Sequence, residues 1–323
     1  MHPTLTAFKG QRGVSIASSV RERSGFLYMV SAYLVWGMFP AFFVLLSAVN
    51  PLESVPWRAI WSFVFSTVLV LATGRWRQLV GVLKNKRQFG FLALSGLLLL
   101  LNWQTFVYGA VSGHIIETSL GYFINPFFTI ALGVIFLKER MRPIQWLAVS
   151  IAFLAVIELT VAYGQLPWIA LVLALSFGLY GFVKSKAVEA VDPTVGMSVE
   201  TLTMFPFALV QLVIFTLVAT TTPAVFMGLT TNLLMMASAP VSILPLILFA
   251  AGAKRLPLIY IGFIQFMTPI LSFLYGYLVM GEPMSAARWV GFIVVWLGVL
   301  LLIIDMAIRA RTQRKLVKPI GIS

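Results

Sequence analysis

No cysteine occurs among the 323 residues, so disulfides, thiolate metal sites and cysteine nucleophiles are excluded together. Charge is also scarce: Asp, Glu, Lys and Arg make up 10% of the chain, against about 25% in an average soluble domain. Histidine occurs twice, at His2 and His114, and neither an HExxH nor a GxSxG stretch is present. Hydrolytic chemistry therefore has no template, and the chain is not expected to be an enzyme or to carry a cofactor or metal. The GxxxxGK[ST] phosphate loop is missing too, so any work the protein does must draw on a gradient rather than on bound ATP.

What the chain has instead is oil. Hydrophobic residues make up 60% of it, and the mean hydropathy is +0.98. A membrane-spanning helix needs about 20 mainly apolar residues. Ten runs meet that length, near 25–47, 56–73, 89–111, 118–137, 143–162, 166–184, 197–218, 232–253, 257–280 and 285–306. Almost nothing remains for a soluble domain. An unpaired backbone amide in lipid costs several kcal/mol, so spanning segments are helices or a closed barrel. Stretches such as LALSGLLLLL lack the period-two alternation of barrel strands. The expected fold class is all-α: a polytopic membrane protein with ten transmembrane helices.

The balance of 23 Lys and Arg against 10 Asp and Glu leaves a net charge of +13, and placement decides its meaning. With ten spans, 21 of the 23 basic residues fall on one face, and only Arg58 and Arg288 fall on the other. By the positive-inside rule the basic face is cytoplasmic, and both termini lie there. The first 24 residues are polar and basic without a signal-peptide pattern, and 307–323 form a second basic tail. The charge serves orientation and lipid contact in the inner membrane, so no nucleic-acid partner is expected.

The stretch INPFFTIALGVIFLKERM overlies FMTPILSFLYGYLVMGEPM at one offset, which pairs Pro126 with Pro269, Glu139 with Glu282, Met141 with Met284 and Trp146 with Trp289. Each half then holds five spans, 25–163 and 164–306. An odd number makes the second half enter the membrane from the opposite side, the pattern of inverted-topology repeats. Such halves can exchange conformations and turn a central site from one side to the other. Pro126 should free a carbonyl near mid-membrane, with Gln265 to Pro269 as its counterpart; a plain packed kink is the competing reading.

The stretch LNWQTFVYGAVSGHIIETSLGYFINPFFTIALGVIFLKER resembles RarD-type members of the EamA family, in the drug/metabolite transporter superfamily. SAYLVWGMFP and WRAIWSF resemble that family's first two helices, although Trp57 stands where many relatives carry His. The resemblance implies ten helices in two inverted halves, and export or exchange of small molecules. It also implies a cavity between spans one, three, four, six, eight and nine.

Polar residues inside the oil point to function, because they are expensive there. Arg58, Glu117 and His114 belong to the outer half of the membrane, and Lys184 and Glu200 to the inner half. Arg58 with Glu117 and Lys184 with Glu200 are expected to act as outer and inner latches, with the carboxylates as candidate proton carriers. The competing account has them snorkelling to headgroups or capping helix ends. Tyr33, Trp36, Asn102, Trp103, Gln104, Tyr122, Asn125 and Gln265 suit a small, partly apolar molecule held by stacking and a few hydrogen bonds. The alternatives are interhelical bonding for the amides and packing for the tryptophans. The expected partners are a small-molecule substrate and membrane lipid, with a homodimer left open. The expected function is secondary transport; a membrane sensor or scaffold that binds without flux is the alternative.

Overall fold

The structure is a computed structural model that describes residues 22–112, 114–163, 167–186, 190–218 and 223–279, together with 289, 293, 296, 297, 300 and 301. The basic tails lie almost wholly outside these residues, as do Glu282, Met284 and Arg288. Every regular element among the described residues is helical. In chain order they are α1 (22–37), α2 (Phe39–Phe43), α3 (Pro51–Ala72), α4 (Trp76–Lys84), α5 (Lys86–Val111), α6 (Ile115–Phe136) and α7 (Pro143–Tyr163), followed by α8 (Trp168–Lys186), α9 (Pro193–Val218), α10 (Leu229–Ala253), α11 (Leu258–Gln265) and α12 (Met267–Leu278).

Among the described residues, six segments are long and apolar enough to cross a membrane: Glu22–Leu46, Leu52–Ala72, Lys86–Gly109, Trp168–Ser185, Pro193–Val218 and Leu229–Ala253. Gly121–Phe136 and Leu258–Leu271 are shorter apolar stretches. Of the tenth expected run, the described residues are all helical.

Local chemistry explains the helix ends. Asn50 caps α3 by accepting the Leu52 N–H at 2.9 Å, with Pro51 in the first turn, where its missing N–H costs nothing. Asn85 caps α5 through the Gln88 N–H at 3.1 Å, and Asp192 receives the Thr194 N–H at 2.9 Å at the head of α9. The end of α6 turns through Lys138, at φ 53°, while the Leu137 and Glu139 N–H groups both donate to the Gly133 carbonyl.

Three features depart from a plain reading of the apolar runs. The first run is interrupted at Met38, because Pro40 cannot donate to the preceding turn; short-range bonds from Met38 to Val35 and from Ala41 to Met38 replace the ladder. The ninth run breaks at Phe266, three residues before Pro269, which leaves the Gln265 carbonyl without its helical donor. Pro126, by contrast, lies within the continuous helix α6. The third departure is α4, in a basic connection that carried no spanning signal. Its Leu79 and Val82 pack with Val70, Leu92, Val191, Val195 and Val199, while half-exposed Trp76 faces outward.

The helices of the two halves interleave. α3 packs on α9 and α10, α5 on α8 and α9, and α6 on α8 and α11. Close approaches need residues without a side chain: a Cβ on Gly96 would sit 2.7 Å from the Glu200 carbonyl oxygen, and one on Gly262 would sit 3.0 Å from that of Pro126.

Candidate functional site

Where α1, α8 and α10 meet, five aromatic rings form one cluster. The Tyr33 ring lies 5.0 Å from Trp36 and 6.2 Å from Phe249, both edge to face. Trp36 reaches Phe177 at 5.5 Å, and Tyr180 stacks on Phe249 at 5.6 Å. Offset and edge-to-face ring pairs of this kind add about 0.5–1.5 kcal/mol each beyond burial alone. The cluster thus stiffens the junction of three helices while presenting polar tips.

Those tips are the unusual part. The hydroxyls of Tyr33 and Tyr180, both amide atoms of Gln265 and the Asn125 side-chain oxygen are buried without a completed hydrogen bond. Most buried polar groups in proteins are satisfied, so groups left open are where a ligand or water finds partners. The Gln265 amide faces the Tyr33 hydroxyl. Gln265 itself is 3% exposed and ends α11 at the break before Phe266.

Lys184 and Glu200 form a salt bridge between α8 and α9, with side chains 1% and 0% exposed. Removing two charges from water costs several kcal/mol per ion, so this contact is not a surface accident. The Tyr180 and Ser95 hydroxyls neighbour the Glu200 carboxylate, although neither completes a well-formed bond to it. The Lys184 ammonium also sits 5.6 Å from the Tyr180 ring. Next to the pair, Ser66 of α3 meets Thr201 at 2.9 Å and Thr67 meets Ser198 at 3.4 Å, giving the α3–α9 seam a polar stripe.

Arg58 sits among aromatic rings. Its guanidinium lies 3.8 Å from the Trp103 ring centroid and 5.6 Å from that of Phe43, with Tyr122 close by. Among the described residues no acidic side chain forms an ion pair with it; the Glu117 side chain lies outside the description. Trp103 is thus both core and platform for a cation. Tyr122 is 41% exposed and contacts Phe106. His114 heads α6, with Nδ1 2.9 Å from the Ser112 hydroxyl and its ring stacked on Tyr108.

Two amides expected in the cavity bind neighbouring helices. Asn102 donates from Nδ2 to the Leu173 carbonyl and to the Ser176 hydroxyl, both at 3.0 Å, tying α5 to α8. Gln104 donates to Gln211 of α9, which also donates to the Leu52 carbonyl at 3.1 Å. Asn125 keeps its side-chain oxygen free, while its backbone carbonyl accepts from Thr129 at 3.2 Å.

Sequence reasoning missed two carboxylates. Glu139 accepts the Leu258 and Ile259 N–H groups, each at 2.9 Å, and so caps α11 from the far end of α6. Glu53 is 2% exposed and accepts the Ala224 N–H on both oxygens, at 2.9 and 3.0 Å, together with the Trp57 indole N–H at 3.2 Å. The repeat pointed to Glu139 by matching it with Glu282, but nothing local named its partner. Tyr180, Phe177, Phe249 and Gln211 were missed because a single aromatic or amide in an apolar run has no distinguishing neighbour in sequence.

A separate cavity of about 520 Å³ opens at the end of the bundle that carries α4, lined by Gln78, Val191, Asp192, Pro193, Lys254 and Arg255 among others. Its charged groups each have a partner, Arg255 on the Ala251 carbonyl. Arg75 pairs with Asp192 at 3.4 Å, and the Lys254 ammonium donates to the Val191 carbonyl.

Comparison with known proteins adds ancestry to this geometry. The chain is 40% identical over 300 residues to an uncharacterized transporter of Pseudomonas aeruginosa, covering 92% of this chain and 98% of that one. It is 40% identical over 298 residues to the protein RarD of Salmonella typhimurium, covering 91% and 98%. A chloramphenicol-sensitive protein RarD of Pseudomonas aeruginosa is 28% identical, covering 90% and 97%. A protein of known crystal structure shares the fold at a TM-score of 0.61 and 17% identity, covering 87% of this chain and 97% of that one. The EamA-like transporter family matches twice, over residues 23–161 and 167–304, and with apolar helices that suit a multi-pass membrane protein, the chain belongs to that family.

Proposed function

We propose that the protein is a secondary transporter of the inner membrane that exports or exchanges a small, partly apolar molecule by alternating access. The reading rests on one observation: rings from α1, α8 and α10 converge beside buried polar atoms that have no completed bond. Stacking would hold the apolar body of the substrate, and Tyr33, Gln265 and Asn125 would supply its hydrogen bonds.

Two inverted five-helix halves crossing the membrane ten times, with both termini cytoplasmic, supply the motion. In support, α6 begins at Ile115 and α11 at Leu258, the same 143-residue interval that separates Pro126 from Pro269. The packing of α3 on α10 and of α5 on α9 are also mates when the halves are exchanged. Lys184 with Glu200 would latch the inner side, supported there by the Glu139 cap on α11. Arg58 with Glu117 would act on the outer side, where Glu53 holds the turn before α10.

The test is counterflow in proteoliposomes made with the full chain. Chloramphenicol, the compound in one relative's name, is a first probe, followed by metabolites that differ between a deletion strain and an overproducer. Saturable counterflow that falls at least tenfold in Gln265→Leu is expected. Binding without counterflow would turn the reading to a sensor or scaffold. Counterflow unchanged in Gln265→Leu would remove the site from the aromatic cluster.

A further inference from the structure

The ion pair and the aromatic cluster are joined. The Glu200 carboxylate neighbours the Tyr180 hydroxyl; the Tyr180 and Tyr33 rings both pack on Phe249, at 5.6 and 6.2 Å; and Tyr33 faces the Gln265 amide. These groups belong to α9, α8, α1 and α11 in turn, and the last sits at the break between α11 and α12. A tyrosine hydroxyl both donates and accepts, and a glutamine amide carries one group of each kind, so the row can be bonded in either direction. Apart from the Lys184–Glu200 ion pair, none of the four terminal groups has a completed hydrogen bond, which leaves both directions open.

We propose that Glu200 is a proton-binding site whose occupancy reverses the direction of hydrogen bonding along Tyr180, Tyr33 and Gln265. The inference rests on the transport reading above for its use, but not for its chemistry. With Glu200 ionised and paired to Lys184, the carboxylate accepts from Tyr180, Tyr180 accepts from Tyr33, and Tyr33 accepts from the Gln265 NH₂. A proton from water then forms an O–H bond on Glu200, and the charge of the pair rises from zero to +1. Glu200 now donates to Tyr180, Tyr180 to Tyr33, and Tyr33 to the Gln265 carbonyl oxygen, so the amide flips. A water molecule can bridge the Tyr180–Tyr33 step without altering the direction.

The surroundings confine the event to this pair. Among the described residues, the charged or titratable groups facing Glu200 are Lys184 and Tyr180, both on α8. α5 contributes the Ser95 hydroxyl and the close approach at Gly96, and α3 contributes the Ser66 and Thr67 hydroxyls bonded to the neighbouring Thr201 and Ser198. After protonation Lys184 keeps the face of the Tyr180 ring as its support. The substrate site would therefore offer a donor in one protonation state and an acceptor in the other, which couples proton binding to substrate binding by reciprocal linkage.

Infrared difference spectra of the full purified chain, with glutamine labelled at the side-chain carbonyl, test this without a substrate. As pH is lowered from roughly 9 to 5, a protonated-carboxyl band absent from Glu200→Gln is expected. A glutamine band identified by its loss in Gln265→Leu should shift over the same range. In Tyr180→Phe, which removes one oxygen atom, the carboxyl band should stay while the glutamine shift disappears. A carboxyl band that persists in Glu200→Gln overturns the proposal, as does a Gln265 band that stays fixed in the wild type or moves equally in Tyr180→Phe. Counterflow on the same preparation reports separately: flux without the glutamine shift defeats the relay alone, and the shift without flux defeats the carrier alone.

Discussion

Replacing Glu139 by Gln removes the charge that caps α11 and one of its two acceptor oxygens. Both oxygens are in use, on the Leu258 and Ile259 N–H groups at 2.9 Å, so one amide at the head of α11 loses its partner. Leaving a buried donor unpaired costs about 1–3 kcal/mol. The lost attraction between carboxylate and helix N-terminus adds about 0.3–1 kcal/mol. The packing limits relief by rearrangement, because a Cβ on Gly133 would sit 2.9 Å from Glu139 Oε2 and 3.0 Å from the Leu258 Cβ. A net weakening of about 1–4 kcal/mol raises the population with α11 released by about 5- to 900-fold. The chain has no cysteine, so a single reporter Cys reads this without background. Ile259 is 3% exposed, and Ile259→Cys should react slowly with a soluble maleimide. In the Glu139→Gln background its labelling should accelerate at least fivefold, while Glu53→Gln, on a different turn, should leave it unchanged. Equal rates with and without Glu139→Gln would refute the cap as the element that holds α11 closed.

Lys184→Met strands the Glu200 charge in the interior and should lower stability by about 3–5 kcal/mol, whereas Lys184→Met with Glu200→Met should recover most of the loss. Thermal unfolding in detergent compares the three proteins. Trp103→Leu keeps an apolar side chain but removes the face that supports Arg58, which should cost about 0.5–2 kcal/mol beyond the change in packing. A double-mutant cycle with Arg58→Met isolates that coupling, and a coupling energy near zero would show that the 3.8 Å approach carries no net attraction.

Composition alone determined that this chain lives in a membrane as helices, because lipid offers the backbone no hydrogen-bond partners and the apolar runs have spanning length. Basic residues set an expected orientation, and Pro126, Pro269, Glu139 and Glu282 exposed the internal repeat. Lys184 and Glu200 were legible as a pair because charge in oil is costly and their positions in adjacent runs match in depth. Other features depended on neighbours that sequence spacing does not name. Asn102 and Asn125 look alike along the chain, yet one is spent on α8 and the other keeps a free oxygen; which occurs depends on what the facing helix presents. Glu139 reads as a loop carboxylate until the turn at Lys138 aims it at amides more than a hundred residues away. Pro126 and Pro269 also occupy equivalent places in the repeat, and only the ninth run breaks, because a proline removes a bond while the surrounding packing decides whether the helix parts. Sequence determined which groups were expensive to bury, and tertiary structure decided how each was compensated, since compensation requires a partner in space.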